Sequence, residues 1–371
     1  MTKKKNNQSK NQKKGEHFGN TLYNDFKKGD LKRTLRQDLN DIYWFYLDKE
    51  TRSRLSEMKR IKRILYMIFW VIKSLFLKLT PLRRILVLLA FWMFFLFNFT
   101  VNDSSFEMII SSKFLGFFIL LLVLALELKD KLLAHDELAV GRTVQMALMP
   151  QDNPKMTGWD IWLYTKPAND VGGDLVDYIH LDDNRLGLVI GDIAGKGLGA
   201  ALFMSKLQAS IRAIAPTAGS FSELGEKLNA IFYRDGLPNR FASMLYLVLK
   251  NDSKINFLNA GHNPPVHLSD ARTEELDQGA PALGLMAEVK YKNQSVSLKP
   301  NDILLIYSDG LTEARNSSGD FLGLDSVCRL LRKNCALTAE ALGKKLIRET
   351  DLFIGDARPH DDLSIILLKR I

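Results

Sequence analysis

Hydrophobic positions divide this chain into two unlike parts. Between about residues 64 and 126 they come in long, nearly continuous runs, and beyond about residue 150 in short runs separated by turns. In the second part, runs at 160–165, 174–181, 185–192, 242–250, 254–259, 303–308 and 363–369 have the length and apolar content of buried strands. A period near 3.6 predicts helices over 197–214, 221–233, 325–333 and 338–350. Strand follows strand with the helices grouped between, which predicts an α+β domain of antiparallel sheet rather than a βαβ alternation. Residues 151–371 are expected to form that one domain.

The first part reads differently. Residues 85–102 (ILVLLAFWMFFLFNFTVN) contain no charged residue, and a helix needs about 17–25 apolar residues to cross a bilayer. Residues 108–126 contain one charge, Lys113, close enough to its end to reach the interface. Arg83 and Arg84 precede the first run, and Lys129 and Lys131 follow the second. The positive-inside rule then predicts a transmembrane helical hairpin in an inner membrane, with both termini and the C-terminal domain cytoplasmic. Residues 64–79 carry Lys73 in mid-segment and read as an interfacial amphipathic helix rather than a third span. Residues 127–150 are expected to continue as a helical stalk, placed to transmit a signal or to form a homodimer, with heptads too poor for a coiled coil.

Charge sharpens this picture. Residues 1–84 hold 22 Lys and Arg against 8 Asp and Glu, in a chain whose net charge is only +9. Residues 1–20 lack hydrophobic periodicity and are expected to be a disordered basic tail. Residues 21–84 add a helical face of Leu31, Leu35, Leu39 and Ile42. A basic front beside apolar runs points to an anionic lipid surface as partner and away from nucleic acid. Cys328 and Cys335 have no metal-type spacing, which fits neither a zinc site nor a disulfide framework.

Candidate chemistry comes from aspartates at strand ends. Asp174 follows Val171-Gly172-Gly173, and Asp192 closes the run that begins at Leu186. Asp309 closes the run from Ile303 and precedes Gly310, while Asp361 and Asp362 stand just before the last strand. Glycine beside a strand tip lets backbone and a short carboxylate approach a ligand closely. Carboxylates gathered at one end of a sheet repel unless cations neutralise them. An all-oxygen set without His or Cys favours Mg²⁺ or Mn²⁺. Two such ions can activate water and clamp a phosphoryl group, so the expected chemistry is phosphate-ester hydrolysis.

A nucleotide loop competes for the same stretch. Gly195-Lys196-Gly197-Leu198-Gly199-Ala200 matches G-x-G-x-x-A between a strand and a helix. The preceding region reads as strand after strand, however, and no acidic residue ends a second strand about twenty residues on. A Walker loop fails because Gly197 stands where Ser or Thr is required. The small residues suit a helix packing tightly where the chain leaves Asp192.

Five motifs occur in one order: VGGD at 171–174, GDIAGKGLGAALFM at 191–204, NAGHNPP at 259–265, YSDGLTEARN at 307–316 and DDLSIILL at 361–368. Together they resemble the PPM family of metal-dependent serine/threonine protein phosphatases, in its SpoIIE/RsbU branch. QMALMPQ at 145–151 is similar to the segment leading into that branch's domain. The resemblance covers 145–371 and leaves 1–144 aside. It implies an α-β-β-α sandwich of two antiparallel sheets with a pair of Mn²⁺ or Mg²⁺ ions at one edge. Carried over by position, Asp174 and Asp192 would be central ligands, with Asp192 bridging. The Ile193 carbonyl, Asp309 and Asp361 would complete the set, supported by Gly173, Gly310 and Asp362. The phosphate-binding arginine of the eukaryotic type 2C members has no obvious counterpart here. Lys196 would either contact phosphate or face solvent from its turn, and His262 would order a turn rather than act as an acid. The implied substrate is a phosphorylated protein, in this branch an anti-anti-sigma (STAS-domain) regulator in a partner-switching pathway. The competing function is a catalytically inactive membrane scaffold of the same fold that binds phosphoproteins.

Overall fold

The computed structural model describes residues 53–55, 58–95, 99–103, 106–110, 112–236 and 240–371. Residues 1–52, with the basic tail and most of the basic front, lie outside them. The chain divides into two compact units, Met1–Lys131 and Leu132–Ile371.

In the N-terminal unit α1 spans Arg60–Lys78 and α2 spans Pro81–Phe95. Strands β1 (Phe99–Asp103) and β2 (Phe106–Ile110) pair as an antiparallel hairpin, and α3 (Ser112–Leu148) begins in this unit and ends in the next. This overturns the expected transmembrane hairpin over 85–102 and 108–126, and with it the multi-pass inner-membrane localisation. Among the described residues no helix is long and apolar enough to cross a membrane. Helix α2 stops after 15 residues, about 22 Å at 1.5 Å per residue, short of the ~30 Å hydrocarbon core. Residues 99–102 of the first expected span, and 108–110 at the opening of the second, lie instead in paired strands. In α3 the apolar stretch is bounded by Lys113, Glu127 and Lys129. Arg83 of α2 donates to Glu127 Oε1 and to Asp130 Oδ2 of α3, each at 2.6 Å.

In the C-terminal unit the elements are β3 (Trp159–Lys166), β4 (Leu175–Asp182), β5 (Arg185–Ile193), α4 (Leu198–Ile214), α5 (Phe221–Arg234), β6 (Ala242–Leu249) and β7 (Lys254–Ala260). There follow β8 (Val266–Ser269), β9 (Arg272–Glu275), β10 (Gln294–Ser297), β11 (Ile303–Tyr307), α6 (Asp309–Thr312), α7 (Leu324–Lys333), α8 (Ala339–Ile354) and β12 (Leu363–Arg370). They build two five-stranded sheets, ordered β10-β7-β6-β5-β4 and β3-β12-β11-β8-β9. Every pairing is antiparallel.

Side-chain alternation explains why the strands read as unbroken apolar runs: both faces are covered. On β5, Leu186, Leu188 and Ile190 enter the layer between the sheets, where they meet Leu304 and Ile306 of β11 and Ile366 and Leu368 of β12. Val189 faces the other way, toward Met204, Leu207 and Ile211 of α4 and Leu228 of α5. On the far side, Leu305, Ile365 and Leu367 pack under Leu331 of α7 and Leu342 and Leu346 of α8. The result is an α-β-β-α sandwich with three apolar layers. Gly191 permits the close approach of α4, since a Cβ there would stand 2.9 Å from the Ser243 carbonyl oxygen and 3.0 Å from Leu207 Cδ2. The strands that the periodicity missed, β8, β9 and β10, have four residues each, too few for alternation to register.

One buried charge closes the β4 side. Asp177 is 1% exposed and accepts from Arg212 Nε at 2.7 Å, Arg212 Nη2 at 2.8 Å and Gln208 Nε2 at 3.0 Å. Arg212→Ala leaves that carboxylate buried without its counter-charge and is expected to lower stability by about 3 kcal/mol. Urea denaturation measures this, and a change under about 0.5 kcal/mol would refute the pairing as a stabilising contact.

Candidate active site

Antiparallel register brings the strand-end aspartates to one edge of the sandwich. Leu175 pairs with Gly191, so Asp174, just before β4, lies beside Asp192 near the end of β5. Tyr307 pairs with Ile365, which places Asp309, two residues past β11, near Asp361 and Asp362, just ahead of β12. The carbonyl oxygen of Ile193 faces Gly173, where a Cβ would come within 3.1 Å of it. Gly310 is held tighter still, because its Cβ would stand 2.0 Å from the Asp362 carbonyl oxygen. Glycine at these two positions lets the strand ends close on one another.

The electrostatics report a crowd of like charges. Burial, then repulsion from Asp192, raises Asp174 well above the usual carboxylate range, against the opposing hydroxyls of Ser364 and Ser308. Burial also lifts Asp192 to about 7, with Asp309, Asp361 and Asp362 adding repulsion. Asp309 is raised by burial, then by Asp361 and Glu313. The Oδ2 atom of Asp174 is buried with no hydrogen-bond partner. Such a set, all oxygen and short of positive charge, fits a hard divalent cation in kind. The carboxylates are neighbours without being closed around a point: among the described residues no three acidic, His or Cys side chains stand at ligand distance from a common centre.

Neighbouring groups fix the frame. Asp362 accepts from the Ala168 N–H at 2.7 Å and the Gly173 N–H at 2.6 Å, so it holds the glycine strap that carries Asp174. The strap's other support is Gln145 near the end of α3, whose amide accepts from the Gly172 N–H at 3.1 Å and donates to the Gly172 carbonyl at 2.7 Å. Lys196 forms an ion pair with Asp361 Oδ2 at 2.9 Å and donates to the His360 carbonyl at 2.5 Å, so its ammonium is engaged within the site. His262 is buried and pushed down to about 4 by that burial, hence neutral at pH 7. Its backbone N–H donates to Asn259 Oδ1 at 2.8 Å and its carbonyl accepts from Asn259 Nδ2 at 3.0 Å, closing the turn around Gly261. A neutral, turn-bound imidazole is no proton donor at pH 7.

Glycines 195–199 do not form a dinucleotide site. Strand β5 pairs antiparallel with both β4 and β6, and the next strand after α4 comes only after α5. The βαβ crossover that aims such a loop at a pyrophosphate is therefore missing around β5.

The sequence profile of the family described as "Stage II sporulation protein E (SpoIIE)" matches residues 182–371. This chain belongs to the SpoIIE family. The SpoIIE match takes in Asp192, Asp309 and Asp361 and begins after Asp174. Protein IcfG of Synechocystis sp. is 28% identical over 280 residues, covering 67% of this chain and 43% of IcfG. Phosphoserine phosphatase RsbU of Bacillus subtilis is 27% identical over 237 residues, covering 63% of this chain and 70% of RsbU. The chain therefore spans less than half the length of the first of these relatives. The SiaA-PP2C domain of Pseudomonas aeruginosa superimposes with a TM-score of 0.58 at 19% identity, over 65% of this chain and 98% of that domain. At that identity the likeness is one of fold.

Several residues around the site carry no signal in the sequence pattern. Gln145 opens the QMALMPQ segment, yet it sits in a helical run with nothing to mark it as buried. Ser308 lies in the YSDG motif yet reads as turn chemistry until the fold joins its hydroxyl to the Ser364 N–H at 2.9 Å. Ser243 pairs with Asp192 in the β5–β6 ladder and meets His262 Nδ1 at 3.0 Å. Only the register discloses that contact.

Proposed function

We propose that this chain is a divalent-metal-dependent phosphoserine/phosphothreonine protein phosphatase. The observation that carries the reading is the gathering of Asp174, Asp192 and Asp309 at one sheet edge, where burial and neighbouring carboxylates raise the pKa of each. Membership of the SpoIIE family and similarity to a protein named phosphoserine phosphatase support it. Asp174, Asp192, Asp309, Asp361 and the Ile193 carbonyl are the groups that would hold two Mn²⁺ or Mg²⁺ ions. When bound, the ions supply Lewis-acid charge neutralisation and lower the pKa of a water.

The chain's own part is positional. Asp362 and Gln145 hold the strap that carries Asp174, Lys196 holds Asp361, and the packed strands leave each carboxylate little freedom. Hydrolysis forms a phosphorus–oxygen bond to water and breaks the one to the serine or threonine oxygen, which leaves with a proton. The substrate class we favour is a phosphorylated STAS-domain anti-anti-sigma regulator. The exposed Leu133, Val140 and Val144 of α3, spaced seven and four apart, favour a homodimer through this helix.

The direct test is Mn²⁺- or Mg²⁺-stimulated release of phosphate from a small aryl phosphate by the full chain. No release with either ion would overturn the reading in favour of a phosphoprotein-binding scaffold of the same fold. A finer test lies at Gly310. Gly310→Ala forces a methyl group against the Asp362 carbonyl and shifts the start of β12, and a displacement of about 1 Å is expected to lower kcat about a hundredfold. Far-UV circular dichroism should stay unchanged, and an Ala variant with parental kcat would refute the role given to that contact.

A further inference from the structure

Arg240 stands just ahead of β6, where the ladder from β5 continues past its last paired strand residues. Asp192 pairs with Ser243 and Ile193 with Ala242, and the Ala194 N–H donates to the Phe241 carbonyl at 2.9 Å. Register thus carries Arg240 alongside Gly195, three residues beyond Asp192. Its guanidinium lies across the bare backbone of two glycines. A Cβ on Gly195 would stand 3.0 Å from Nη1, and one on Gly199 would stand 2.6 Å from Nη2. Any larger residue at either position would displace the side chain.

The Nη1 atom of Arg240 is buried and makes no hydrogen bond among the described residues. A buried donor left unpaired is unfavourable and calls for a ligand or water to complete it. The planar fork of arginine suits a phosphoryl group, which offers several acceptor oxygens at once. Gly199 lies in the first turn of α4, a 17-residue helix with Gly197 as N-cap and no side-chain cap, whose first N–H groups add to the positive potential. Lys196, the other cation of this loop, is engaged by Asp361 and His360.

We propose that Arg240 binds the phosphoryl oxygens of a phosphate monoester at the carboxylate site. This rests on the phosphatase reading above and deepens it, because it supplies the phosphate-recognising arginine that the sequence pattern lacks. Arg240 contacts the substrate's non-bridging oxygens, and Gly195 and Gly199 are small so that the guanidinium can lie flat over the loop. Ground-state binding of the phosphate and of free inorganic phosphate then depend on the same side chain.

The test uses the full chain in Mn²⁺ with Arg240→Gln and Arg240→Lys. Steady-state kinetics on an aryl phosphate give KM, inorganic phosphate as competitor gives its inhibition constant, and calorimetry gives direct phosphate binding. Both constants are expected to rise together, about ten- to a hundredfold in the Gln variant, as loss of a charge-assisted contact requires. The Lys variant should recover part of this, with melting temperatures unchanged. Unaltered KM and phosphate inhibition in a folded Gln variant overturn the proposal. A fall in kcat with phosphate inhibition unmoved overturns it too, since that is what a loop-bracing arginine would give. If the Gln variant does not fold, the Lys variant decides by the same two constants. If the parent chain releases no phosphate, the phosphatase reading fails, and calorimetry with inorganic phosphate still decides whether Arg240 binds it.

Discussion

Asp192→Asn and Asp309→Asn, each in the full chain, are expected to slow Mn²⁺-dependent phosphate release roughly a thousandfold. The amide keeps the shape of the carboxylate and removes its charge, so the effect isolates electrostatics from packing. Asp174, Asp309, Asp361 and Asp362 all act on Asp192. A loss of charge there weakens the hold on any cation shared among them. Removing one preorganised charge from an active site typically lowers kcat by about 10²–10³. Because Asn also relieves repulsion, the same variants should be at least as stable as the parent chain when divalent ions are chelated. Loss of activity with gained or equal stability marks a functional charge. An active Asp192→Asn variant would remove the metal-site reading and leave the aspartates as turn residues.

Chelated protein is expected to lose stability as pH rises from 5 to 8, and Mn²⁺ is expected to restore it at pH 8. Burial and neighbouring carboxylates lift Asp192 to about 7, from an unfolded value near 4. Between those values the folded chain keeps a proton that the unfolded chain has released. Stability therefore falls with rising pH through that window and levels off above the folded value. A shift of about three units corresponds to at most about 4 kcal/mol, and Asp174 and Asp309 act in the same direction. Urea denaturation in EDTA at both pH values measures the slope. Mn²⁺ at a hundred times its Kd should return about 2.7 kcal/mol by mass action. Asp192→Asn should flatten the profile. A parent chain equally stable at pH 5 and pH 8 without divalent ions would show that the carboxylates do not oppose one another.

How far the sequence could be read differs along the chain. In 151–371 each long strand is apolar on both faces because helices cover one face and the second sheet the other, so runs such as Leu186–Ile190 announce themselves. Asp174, Asp192 and Asp309 stand out as candidates for a related reason: a carboxylate with glycine at the tip of a buried strand is conspicuous. In 85–126 the same attention to apolar runs misled. Length of run was read as length of helix, while the backbone forms a helix that ends at Phe95, then two paired strands, then a second helix. Composition fixes how apolar a stretch is and says little about whether its hydrogen bonds are satisfied along one helix or between two strands.

By itself the sequence determined the apolar layers of the sandwich, its antiparallel order and the identity of the acidic residues, because these follow from local periodicity and from which side chains sit at strand ends. Only the tertiary structure decided which distant groups meet: Gln145 with Gly172, Lys196 with Asp361, Ser308 with Ser364, Arg240 with two glycines. The first two pairs lie 27 and 165 positions apart, separations over which no sequence period persists. Helix packing and strand register bring them together.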